Sequence, residues 1–229
     1  VSRLPRFTEG ARYWLQWAGV PDSVYSRTEG KNDYSDDFQS RGYWVNYLAG
    51  GSSVLPQQEG LKIPLDMAFA FHSDAGINKN DSVIGTLAIF TVENTDKKKI
   101  YKNNISRWNA REMTDIIQTQ IVDDIRKSFY SDWNRRGLWN RNYSESRGPE
   151  VPTMLLELLS HQNFEDMRLG HDPRFRFLVS RAVYKGMLRY LATVNDFEYV
   201  VQPLPVDEFS TRFISDSAIE LSWKARPDK

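Results

Sequence analysis

Two short apolar runs decide the fold: LDMAFAFH at residues 65–72 and VIGTLAIFTV at residues 83–92. Each is bounded by turn-forming residues and is too short for a core helix, as expected of a strand that is covered on both faces. PTMLLEL at residues 152–158 has the same character. The three runs predict the central strands of one mostly parallel sheet.

Segments with helical spacing of apolar residues surround these runs. The clearest covers residues 109–129, and a second, with proline in its first turn, covers residues 172–192. Residues 8–18 and 36–48 carry weaker helical patterns, and PDSVYSRT at residues 21–28 is interpreted as a short strand. Alternation of strands and helices predicts an α/β fold, a central mostly parallel sheet flanked by helices, with a short β tail.

The character of the chain changes after Thr193. Apolar and polar residues then alternate, with Pro203 and Pro205 as a spacer, and SAIELSWKARPD at residues 217–228 resembles the first strands of a fibronectin type III module. We therefore predict one domain over residues 1–195, followed by a linker and partial fibronectin-like module over residues 196–229. A terminal hairpin packed on the main sheet is the alternative.

Composition excludes several classes of function. Thirty basic and thirty acidic residues give no net charge, so no nucleic-acid partner is expected. No cysteine is present, so any metal must be bound by histidine and carboxylate side chains. No apolar run reaches the length of about 18 residues that predicts a membrane span. Aromatic residues make up 13% and suit either sugar stacking or core packing.

Two ionisable residues stand at the ends of predicted strands, His72 after AFAF and Glu157 after MLL. Ligands of α/β sheets bind beyond the carboxyl ends of the strands, and a histidine with a glutamate there suits a metal ligand and a general base. A hydrogen-bonded structural histidine and a carboxylate paired with an arginine remain open as alternatives. His161 follows at the same edge as a possible supporting residue of this site, or as an ordinary loop residue.

The order of several motifs resembles the zinc-dependent N-acetylmuramoyl-L-alanine amidases. The family patterns are T-R, D and R-x-x-x-A-N, then S-I-H-A-N-A, then a strand with an early glycine, and then P-A-V-L-V-E-x-G-F-x-S-N before a closing helix. The stretches similar to them are Ser26-Arg27, Asp33, Arg41 to Asn46, Ala70 to Ala75, residues 83–92, Pro152 to Asn163 and residues 166–191.

This resemblance implies an amidase fold related to that of phosphorylase and hydrolase domains, with His72 as a zinc ligand and Glu157 as the general base. The reaction it implies is attack of zinc-activated water on the amide between muramic acid and L-Ala of bacterial peptidoglycan. Trp139, Tyr143 and Asn163 are then expected to contact the substrate. The expected location is extracellular, periplasmic or otherwise in the cell envelope.

The chain departs from the family at its start. The family's zinc is held by two histidines and a glutamate, and the G-H-G-G turn that supplies the first histidine does not occur in this sequence. We therefore expect an N-terminally truncated catalytic domain whose zinc needs ligands absent from this chain. An inserted domain that separates the ligands, and loss of the metal by this protein, remain open as alternatives. Two alternatives are a non-catalytic glycan or peptidoglycan-binding module, with an aromatic cleft of Trp133, Trp139 and Tyr143, and a polysaccharide-processing enzyme.

Overall fold

The computed structural model describes residues 9–228. It contains a sheet of four strands and a separate hairpin of two strands. The strands are β1 Ala68–Asp74, β2 Thr86–Phe90, β3 Arg135–Asn140, β4 Thr153–Ser160, β5 Asp207–Ser215 and β6 Ala218–Lys224. The helices are α1 Ala11–Trp17, α2 Asp22–Tyr25, α3 Asp33–Ala49, α4 Trp108–Ser128, α5 Ser144–Arg147, α6 Phe164–His171 and α7 Pro173–Asn195.

The four-stranded sheet has the order β1-β4-β2-β3 and confirms the predicted α/β class. β1 is parallel to β4 and β2 is parallel to β3, whereas β2 and β4 are antiparallel. The sheet is therefore mixed: β1 and β4 end on one side of the sheet, and β2 and β3 end on the opposite side. The three predicted strands correspond to β1, β2 and β4, while β3 lies in a segment that carried no strand prediction.

Helices α4 and α7 cover one face of the sheet. The isoleucine stripe of α4, including Ile117 and Ile121, is fully buried against β4 and α7. Gly186 lets α7 approach closely, since a Cβ atom there would lie 2.8 Å from Cα of Ile117. Trp133 is buried in the same core, so its predicted place in an aromatic cleft is wrong.

The opposite face carries the candidate site and is bordered by α3 and α5. Asn46 of α3 fixes the segment after α5, because its Nδ2 donates to the Gly148 carbonyl at 2.8 Å and its Oδ1 accepts from the Glu150 N–H at 2.8 Å. The buried Arg107 guanidinium donates to two further carbonyls there, those of Arg147 and Pro149. These buried bonds hold α5 at a fixed place beside the sheet.

Two remaining predictions concern segments outside the main sheet. The strand predicted at residues 21–28 is wrong, since Asp22–Tyr25 form a short helix that buries Val24. At the other end, β5 and β6 pair antiparallel in a sheet of their own. A fibronectin-like module over residues 196–229 stays a prediction. No helix among residues 9–228 is long and apolar enough to cross a bilayer.

Candidate functional site

His72 and Glu157 lie side by side on β1 and β4, where the register makes them direct partners across the parallel pair. Paired residues of adjacent strands project to the same face of a sheet. Both side chains therefore project to the face that α3 and α5 border. The sequence predicted that this histidine and this carboxylate lie close together at the ends of two strands. The structure brings them together, but within β1 and β4 and on one face of the sheet.

A third residue, Glu145 of α5, completes the group and was missed in the sequence. Its Oε2 lies 2.5 Å from Nε2 of His72, and its Oε1 accepts from Arg41 at 2.9 Å. The other end of the Arg41 guanidinium contacts Asp37 at 2.8 Å. A series of side chains of alternating charge therefore connects α3, α5 and β1. The only part of this charged group that the sequence indicated by helical spacing was the pair Asp37 and Arg41, which are one helical turn apart.

The pKa values of the pair shift in the directions that keep both groups charged. The hydrogen bond to Glu145 raises the pKa of His72, although partial burial of the ring acts in the opposite direction. Burial by itself would raise the pKa of Glu145, but the hydrogen bonds from His72 and Arg41 outweigh it and lower that pKa. The side chain of Glu145 is only 10% exposed, so this pair is the firmly held part of the site.

Glu157 is held differently from Glu145. Its carboxylate is half-buried, and Oε2 has no hydrogen-bond partner among the residues that the structure describes. Burial raises the pKa of Glu157, and the carboxylates of Asp74 and Glu145 add to the rise, while His72 and Arg136 oppose it. A carboxylate with a raised pKa and a buried oxygen that no described residue hydrogen-bonds is a candidate for proton transfer with a bound ligand or water.

The rim beyond β1 and β4 holds the remaining polar residues. Arg136 contacts Asp74 at 2.6 Å, and the His161 N–H donates to the Asp74 carbonyl at 3.0 Å. Nδ1 of His161 lies 3.1 Å from the Ser73 hydroxyl. His161 therefore sits next to β1, in contact with the neighbour of His72. Its role in the chemistry of the site stays a prediction.

The three predicted substrate contacts differ in accessibility. Trp139 on β3 and Tyr143 before α5 are 40% and 48% exposed. Asn163 is buried, and its side chain is used by the fold: Oδ1 caps α6 by accepting from the Asp166 N–H, and Nδ2 donates to the Ser82 carbonyl. A substrate can reach Trp139 and Tyr143 directly, whereas contact with Asn163 requires movement of α6.

The side chains present do not fit the zinc ion that the resemblance implies. Catalytic zinc is held by three protein ligands, and Nε2 of His72 is engaged with Glu145 instead of facing a metal. The Arg41 guanidinium on the same carboxylate adds positive charge where a cation would have to bind. Within residues 9–228 no three histidine or carboxylate groups are placed to hold a metal ion.

Similarity to known proteins is found at the level of structure. No protein-family model matches the chain, and no curated protein matches it in sequence. An N-acetylmuramoyl-L-alanine amidase from Clostridium difficile 630 is 15% identical, with a TM-score of 0.49 over 75% of this chain and 80% of that one. The CwlD amidase from Clostridioides difficile, solved in complex with the GerS lipoprotein, is 16% identical, with a TM-score of 0.48 over 82% and 83%. The amidase AmiC2 of Nostoc punctiforme is 16% identical, with a TM-score of 0.42 over 55% and 58%.

The unpaired oxygen of Glu157 leads to a prediction on stability. The folded state raises the pKa of this carboxyl, so the wild-type chain loses stability as pH rises from the ordinary glutamate pKa through the raised one. Glutamine cannot ionise, and Glu157→Gln is expected to unfold with a free energy about 1 kcal/mol higher than wild type at neutral pH. The gain is expected to shrink below the ordinary pKa, as urea titrations at about pH 4 and about pH 7 will measure.

A matched control for this change is Glu59→Gln. Glu59 is an exposed partner of Lys62, and its replacement is expected to alter the free energy of unfolding by less than about 0.5 kcal/mol at either pH. Equal stability of wild type and Glu157→Gln at neutral pH would show that the carboxylate is not held in an unfavourable environment.

Proposed function

We propose that this chain is a peptidoglycan amide hydrolase that acts in the cell envelope on the amide between muramic acid and L-Ala. The observation that supports this most is the pair His72 and Glu157, in register on β1 and β4, with one carboxylate oxygen of Glu157 buried and without a hydrogen-bond partner among residues 9–228. The motif resemblance names the same two residues. In this proposal Glu157 is the catalytic base.

The side chains of this group can supply the proton transfers of this reaction. Glu157 takes a proton from water, the water oxygen bonds to the amide carbonyl carbon, and the C–N bond breaks as the proton passes to the leaving amine. The His72 ring, held by Glu145, places positive charge beside the carbonyl oxygen as negative charge develops on it. Trp139 and Tyr143, both partly exposed, are the proposed contacts to the substrate.

The test compares wild type, Glu157→Gln and the control Glu59→Gln on purified peptidoglycan. The readout is the release of new L-Ala amino groups. We expect Glu157→Gln to lower the rate by about 10²–10⁴-fold, since it removes the base, and Glu59→Gln to leave the rate unchanged. A wild-type rate that Glu157→Gln does not reduce would reject Glu157 as the base.

A second candidate function, a non-catalytic peptidoglycan-binding module, is favoured by the engagement of His72 with Glu145. An imidazole held in an ion pair beside Arg41 is suited to bind a carboxylate of a peptide without cleaving it. The same peptidoglycan preparation distinguishes the two candidates. Binding by sedimentation, with no release of amino groups by wild type or Glu157→Gln, would support the module.

A further inference from the structure

The strand β1 is an edge of the sheet. Within residues 9–228 it pairs with β4 alone. The Ala68 N–H donates to the Pro152 carbonyl at 2.9 Å, so the backbone groups of the even-numbered residues of β1 face β4. Those of Phe69, Phe71 and Ser73 therefore face the open side. Such a row of unpaired donors and acceptors is a template for another extended segment.

An apolar groove runs along β1 on the face that carries the candidate site. It has a volume of about 440 Å³ and lies between α3 and β1. Trp44, Val45 and Leu48 supply its helical wall, and Arg41 with Glu145 also line it. The groove is thus an apolar channel that includes the charged group next to His72.

A second apolar cavity lies on the other face of the same edge. Its volume is about 320 Å³, and it is formed between β1, β4 and the helices α6 and α7. Phe71 contributes to it from β1 and is 59% exposed. The other apolar side chains that line this cavity are Leu158, Leu159, Met167, Phe175 and Val179.

These three features fit one kind of ligand. Successive side chains of an extended strand point to opposite faces of a sheet. A segment paired with β1 would therefore place alternate side chains in the groove beside α3 and in the cavity beside α6 and α7. We propose that the β1 edge binds an extended polypeptide with apolar residues at consecutive positions, by strand addition.

The helices on both sides of the β1 edge favour a single extended strand as the ligand over a second folded copy of this protein. Helix α3 rises on one face, and α6 with α7 rise on the other, so the donors of Phe69 and Phe71 lie in a slot. A folded copy would have to bring its own helices against these walls to reach the backbone. The inference is independent of the proposed hydrolysis, because it concerns backbone pairing and needs no chemistry at Glu157.

The test uses a fluorescent peptide of about six residues that alternates valine and leucine, so that both faces of the strand are apolar. Its binding to the whole chain is followed by fluorescence anisotropy. The Phe71→Pro variant removes the N–H that faces the open side and leaves the bonds to β4 in place, as an edge strand tolerates. We expect Phe71→Pro to weaken binding at least about tenfold, and the control Phe71→Ala, which keeps the N–H, to weaken it less.

A second measurement keeps the test decisive if Phe71→Pro does not fold. The same peptide, N-methylated at alternate residues, loses the donors that would pair with β1 and is expected to bind wild type at least about tenfold more weakly. Equal binding of both peptides, or no binding of the parent peptide, would overturn the proposal. Self-association of the chain that the peptide does not reverse would overturn it in favour of a second copy.

Discussion

Trp133→Ala is expected to lower the free energy of unfolding by about 3–5 kcal/mol. The side chain of Trp133 is fully buried, with its ring centroid 5.6 Å from that of Phe175 in α7. Its Nε1 donates to the buried Thr86 hydroxyl at 2.8 Å at the start of β2. Alanine leaves a cavity between sheet and helix and removes this hydrogen bond. Urea denaturation followed by circular dichroism measures the loss.

Two further variants separate packing from hydrogen bonding at this position. Trp133→Phe keeps most of the buried volume and loses the bond to Thr86, so an intermediate loss is expected. Trp139→Ala removes a tryptophan that is 40% exposed and is expected to cost less than about 1 kcal/mol. If Trp133→Ala left the stability unchanged and weakened the binding of peptidoglycan, Trp133 would belong to the aromatic cleft and the prediction would be wrong.

The strands and the long helices were predictable because the burial of their residues produces a recognisable pattern of apolar residues in the sequence. The run at residues 83–92 contains β2, whose residues are all buried. The pattern at residues 109–129 matches α4, Trp108–Ser128, to within one residue at each end, since one stripe of its side chains faces the core. Both signals come from neighbouring residues in one element, which sequence periodicity records directly.

The edge strand β3 and the direction of β2 could not be predicted in the same way. All six residues of RRGLWN in β3 are exposed or half-buried, and no apolar run marks the strand. The antiparallel pairing of β2 with β4 depends on the path of the chain between them, and an apolar run has the same composition in either direction. Burial on both faces favours parallel pairing in general, but this mixed sheet buries β2 equally well.

The site was predictable only where the strands supply it. His72 and Glu157 lie within recognisable strands, whereas Glu145 reaches His72 through the placement of α5 by Asn46 and Arg107. The two glutamates then acquire opposite properties from their partners. Cations lower the pKa of Glu145, while burial without a hydrogen bond to Oε2 raises that of Glu157. These opposite pKa shifts distinguish a carboxylate that stays charged, Glu145, from a carboxylate that can transfer protons, Glu157.

A buried ion pair between the two longest helices gives the second large expected effect. Nζ of Lys185 in α7 lies 2.6 Å from Oδ2 of Asp124 in α4, and their side chains are only 9% and 8% exposed. Asp124→Ala leaves the ammonium group buried without this carboxylate and is expected to lower the free energy of unfolding by about 3–5 kcal/mol. An exposed pair offers the control: Glu29→Ala, which removes the partner of Lys31, is expected to cost less than about 1 kcal/mol.

The double variant Asp124→Leu with Lys185→Met tests whether the pair stabilises the fold or only avoids the cost of burying a charge that has lost this carboxylate. Apolar side chains of similar size remove both charges together, so the double variant is expected to recover most of the stability that Asp124→Ala loses. Urea denaturation of the three variants at neutral pH gives the comparison. A double variant as unstable as Asp124→Ala would mean that the attraction between Asp124 and Lys185 is itself needed to hold α4 against α7.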